Sequence, residues 1–91
     1  MKAITIEYYP DEYRTIEKAT LESIKGGLDV TISLDYVPTF EKDDIRQLIT
    51  LLRRCREVGG DFALRASRHD VRRALAVTAL DRVFTVVGAA A

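Results

Sequence analysis

The stretch Ile45–Leu64, IRQLITLLRRCREVGGDFAL, decides how this chain folds. Within it Ile45, Leu48, Ile49, Leu52 and Cys55 recur at i, i+3, i+4, i+7 and i+10, the period of a helix with one apolar face. Arg46, Arg53 and Arg54 fall elsewhere on the wheel. Gly59-Gly60 then ends the helix, because glycine accepts the left-handed backbone that a helix terminus often needs. Phe62 and Leu64 follow at the two-residue period of a strand.

Working outward, the same step recurs on both sides. Upstream, Ala3–Tyr9 alternates at Ile4, Ile6 and Tyr8 as a half-buried strand does, and Pro10-Asp11 stops it. Tyr13, Ile16, Thr20 and Ile24 then mark a helix with Asp11 as its expected cap and Gly26-Gly27 as its end. Leu28–Asp35 reads as a second strand, with Leu28, Val30, Ile32 and Leu34 on one face and Asp29, Thr31 and Ser33 on the other. Downstream, Asp61–Ala66 is a strand, Ser67 is expected to cap a helix, and Val71, Ala74, Leu75 and Thr78 share that helix's face. Val83–Val87 closes the pattern, and Gly88–Ala91 reads as a frayed tail.

The order β-α-β-α-β-α-β predicts one small α/β domain over residues 1–91. Its sheet has about four strands, largely parallel or mixed, because parallel neighbours need the crossover that a helix supplies. The helices share no residue pattern, so the recurring Gly-Gly step is punctuation and not a sequence repeat.

Composition narrows the function. Fourteen basic and 14 acidic side chains balance, which argues against nucleic acid or an anionic membrane as the partner and suits a protein. No stretch resembles a signal peptide or a membrane span, and the single Cys55 fits a reducing compartment, so a cytoplasmic location without membrane insertion is expected. One His and one Cys provide no metal-ligand set; neither a metal nor another cofactor is expected. His69 reads as a solvated side chain and Cys55 as a small buried hydrophobe, so no catalytic residue is assigned. The arginine clusters Arg53-Arg54-Cys55-Arg56 and Arg72-Arg73 lack the interleaved aromatics of a nucleic-acid surface. The acids Glu41, Asp43 and Asp44 suit a helix start, where negative charge meets unpaired N–H groups.

The second half of the chain resembles the STAS domain, the fold of bacterial anti-sigma factor antagonists. Leu51–Leu64 is similar to that family's long helix, Gly-Gly turn and following strand. Val71–Phe84 is similar to its "VRRxLxxTGLDRxF" ending, with Ala79 at the glycine position. Ile32–Val37 sits where relatives have "LDLSxV", and Glu41-Lys42-Asp43-Asp44-Ile45 falls on "DSSGL". The likeness runs from about Val30 to Phe84; before it the family's usual first strand is shortened or missing.

The resemblance implies a non-enzymatic module that binds a protein partner: a kinase-like anti-sigma factor, another STAS protein, or the ATPase subunit of a lipid-transport ABC complex. A homodimer is compatible with it. In the family the first serine of "DSSG" is phosphorylated; here Lys42 stands there, so no phosphorylation is expected at that position. The implied contact surface is Thr39, Phe40, Glu41, Lys42, Asp43, Asp44 and Arg46. The alternative is a domain that senses a nucleotide or lipid at the carboxyl ends of the strands.

Overall fold

A computed structural model describes residues 2–88, so Ala89–Ala91 of the expected frayed tail lie outside the described residues. Four strands, β1 (Ala3–Glu7), β2 (Asp29–Ser33), β3 (Phe62–Arg65) and β4 (Thr85–Val87), alternate with helices α1 (Tyr13–Lys25), α2 (Lys42–Glu57) and α3 (His69–Val77). Every pairing is parallel and the strand order is β1-β2-β3-β4. Of the two expected sheet types, largely parallel or mixed, the first is found.

A right-handed crossover that always steps in one direction places its helix on one side of the sheet. The burial pattern fits this rule. Val30, Ile32, Phe62 and Leu64 are buried with Ile16, Leu48, Leu51 and Leu75 in one core, while Thr5 and Thr85, on the other parity, are exposed. The protein is therefore two layers, helices over one face of the sheet.

Several local expectations change. Asp11 does not cap α1; Pro10–Glu12 forms a 3-10 turn and Glu12 occupies the cap position without a side-chain bond. Proline's fixed φ favours this tight turn, which takes the place of a polar cap. Ser67 does not cap α3 either, because Arg68 holds that position and the Ser67 hydroxyl bonds to Asp35 instead. Thr78 is exposed at the end of α3, its hydroxyl donating to the Ala74 carbonyl at 2.7 Å. The apolar face of α2 is rotated from its expected centre: Leu51 is fully buried, while Ile45 and Ile49 are only partly so.

The glycine pairs divide two tasks. Gly59 adopts φ +80°, which an L side chain rarely tolerates. Gly60 lets the end of α1 approach, since a Cβ there would run into the Ile24 side chain. At the third helix end the same left-handed turn falls on Ala79, with φ 59°. Its Cβ makes that conformation costly by about 1–2 kcal/mol. We expect Ala79→Gly to stabilise the fold by about 0.5–1 kcal/mol, after allowing for the greater freedom of glycine in the unfolded chain. A thermal melt checks it, with a midpoint higher by a few degrees.

Candidate functional site

The loop from β2 to α2 leaves the carboxyl edge of the sheet and is tied down along its length. Leu34 N–H donates to the Arg65 carbonyl at 2.8 Å, and Val37 is fully buried. The Arg68 guanidinium donates to the carbonyls of Val37 and Pro38, and Asp70 holds it in place at 2.6 Å. Asp35 accepts from both the N–H and the hydroxyl of Ser67, at 3.0 and 2.6 Å, and lies 3.3 Å from Arg65 Nε. Those bonds, the Ser67 hydroxyl foremost, hold the Asp35 carboxyl below its ordinary value of 3.8. Two loops that follow neighbouring strands are thereby joined.

Beneath the turn lies a buried polar network. Asp44, 4% exposed, accepts from the Tyr8 hydroxyl through Oδ1 at 3.1 Å and from the Glu41 N–H through Oδ2 at 2.8 Å. The second bond ties the α2 cap position to the third residue of the helix, as in a capping box. The Tyr8 hydroxyl also lies 2.5 Å from Gln47 Oε1. One phenolic proton serves one acceptor, so the Gln47 amide satisfies the network fully with its NH₂ turned to Tyr8. Burial, then the neighbouring Asp44 charge, drives the Tyr8 pKa upward, and the phenol stays protonated.

The structure separates the seven expected contact residues. Thr39, Glu41, Lys42, Asp43 and Arg46 are exposed, Phe40 is half-buried, and Asp44 is turned inward as a structural acid. Tyr9, Pro10, Asp11, Pro38, Glu41 and Asp43 flank a shallow cleft of about 520 Å³ between the first two loops of this edge. A strand order that never reverses has no switch point, the place where open α/β sheets form ligand crevices.

Cys55 is buried, which pushes its thiol up to about 11, and His69 is exposed on α3. Among the described residues no three His, Cys, Asp or Glu side chains are grouped as metal ligands, and no helix is long and apolar enough to cross a membrane.

No protein-family model matches the sequence, and none of the curated proteins matches it significantly. Solved structures do. The solution structure of the protein TM1081 superposes with a TM-score of 0.71 at 18% identity, over 94% of this chain and 74% of that one. A crystal structure of the same protein, described as a candidate anti-sigma factor antagonist from Thermotoga maritima, gives 0.68 at 19% identity over 97% and 80%. The fold is STAS-like.

Reading the sequence did not find Tyr8, Asp35, Ser67 or Arg68 as positioning residues. The Asp35–Ser67 pair was within reach: with Ser33 opposite Arg65, two further residues on each strand bring these side chains together. We expect Ser67→Ala to destabilise the protein at pH 7 by about 0.5–1.5 kcal/mol, the contribution of one hydrogen bond to a charged acceptor at the surface. A carboxyl whose folded pKa is depressed contributes stability above its unfolded value and loses it as pH falls through the folded one. The difference between wild type and Ser67→Ala therefore shrinks below pH 3.8 in denaturant melts taken across pH.

Proposed function

We propose that this chain is a non-enzymatic, protein-binding module of the STAS type. In this reading it acts like an anti-sigma factor antagonist, through the β2–α2 turn and the exposed face of α2. The observation that carries the reading is the contrast within the turn. Lys42, Asp43 and Arg46 stand exposed on a backbone that Asp44, Tyr8, Asp35 and Arg68 anchor from below. Surface side chains on a rigid base lose little entropy when a partner docks. The likeness to a candidate anti-sigma factor antagonist supports the partner class.

Two features support a module without catalysis. The exposed Ser67 hydroxyl is bonded to a carboxylate and not to a histidine, and the Cys55 thiol is buried and protonated. Lys42 has no hydroxyl to phosphorylate, so the turn in this reading binds constitutively.

A kinase-like anti-sigma factor from the same source tests the proposal by calorimetry. We expect micromolar or tighter binding that ATP does not release, and a loss of about tenfold in Lys42→Glu or Arg46→Glu, the weight of one interfacial charge contact. Equal affinity of both variants and wild type overturns the assigned surface, and release by ATP with phosphate on this chain overturns constitutive binding.

A further inference from the structure

We propose that the free edge of β4 is a second binding surface, which takes an extended acidic peptide segment of a partner protein as a fifth strand. Among the described residues β4 pairs only with β3. The Ala66 N–H donates to the Val87 carbonyl at 3.0 Å, so Val87 aims its backbone groups at β3. Alternation along the strand then turns the Val86 N–H and carbonyl outward, the pattern onto which a further strand bonds. Thr85, Val86 and Val87 bring neither charge nor proline, the usual devices that keep an edge from pairing.

The surroundings of this edge define what it takes. Val83, just before the strand, and Val87, on it, are 46% and 41% exposed, two of the six large apolar side chains so exposed among the described residues. A cavity of about 780 Å³ runs between α3 and the edge, with Leu75 and Val86 in its apolar lining. His69, Arg72 and Arg73 also line it, against the single acid Asp81. Arg54, Arg56, Arg65 and Arg68 each have a carboxylate within 4.0 Å, whereas Arg72 and Arg73 have none among the described residues. The Arg72 guanidinium lies over Gly88, where a side chain at that position would begin, and so overhangs the end of β4.

These features act together on one strand. Residues two apart on an added strand share a face, so one apolar side chain covers Leu75 and Val86 while a carboxylate two positions on meets Arg72 or Arg73. A second copy pairing through the same edge offers Arg72 and Arg73 only its own uncharged Thr85, Val86 and Val87, so the guanidiniums lose solvent and gain no carboxylate. The acidic segment of a different protein meets no such penalty.

The test is an amide NMR titration of the labelled full chain with an eight-residue peptide in which threonine alternates with valine and glutamate by turns. A control peptide carries lysine in place of glutamate. We expect shifts at the Val86 and Gly88 amides, slowed exchange of the Val86 N–H, and binding at least tenfold tighter for the acidic peptide, about the weight of one charge pair. Arg72→Glu with Arg73→Glu, both on exposed positions, reverses the preference while circular dichroism and the thermal midpoint stay close to wild type. Four outcomes overturn the proposal: no shift at about 1 mM peptide, a range that still detects very weak binding; equal binding of the lysine peptide; shifts confined to α2; or Val86 protection that grows with protein concentration alone, which assigns the edge to a second copy.

Discussion

Strand β2 is bonded on both edges, and its register sets where every loop at the carboxyl end of the sheet emerges. Glu7, Ser33 and Arg65 stand abreast in that register. One residue beyond, the Tyr8 N–H bonds to the Ser33 carbonyl and its side chain passes beneath α2 to meet Asp44. Two residues beyond, Asp35 meets Ser67. A slip of one residue would exchange the buried and exposed faces of β2 and separate both pairs. The rigid base of the β2–α2 turn is thus a consequence of sheet register, and the turn's own sequence contributes mainly what it presents to solvent.

The alternation of helix and strand was legible because apolar period and glycine punctuation agree over Ile45–Leu64 and again at Gly26-Gly27. Strand ends were less legible. β2 stops at Ser33 although Leu34 is fully buried, because burial continues into the loop after the ladder of paired residues has ended. Leu51 escaped the expected face of α2 since a helix packed in a globular core buries a wider stripe than the strict heptad positions. Asp44 was misplaced for a different reason. Charge at a helix start is normally solvated; the Tyr8 hydroxyl, 36 positions away in sequence, joins the local Glu41 N–H in making its burial tolerable.

The two ends of the glycine motif show how a resemblance is informative where it fails. Gly59 keeps the residue that its backbone requires, while Ala79 keeps the backbone and not the residue. The left-handed turn there survives because Leu80–Arg82 forms a 3-10 turn whose backbone bonds, Arg82 N–H to Ala79 and Phe84 N–H to Leu80, hold the geometry in place. Phe84 is then delivered against Phe62 with ring centroids 5.7 Å apart, which anchors the last strand to the core. Local strain at one residue is offset by packing five residues later.

Because the strands lie in the order in which they are made, no pairing among the described residues joins distant parts of the chain. Partners across the three ladders are separated by 26, 32 and 22 residues, and the first and last strands never meet. Loop closure varies only with the logarithm of length, so the entropy of forming these ladders differs by about 0.3 kcal/mol from the shortest to the longest. Chain connectivity therefore gives no ladder a head start in folding. The ladders differ instead in apolar content: Val30, Ile32, Phe62 and Leu64 of β2 and β3 are buried against the helices together, whereas Ile4 and Ile6 of β1 and Val86 of β4 are only partly buried.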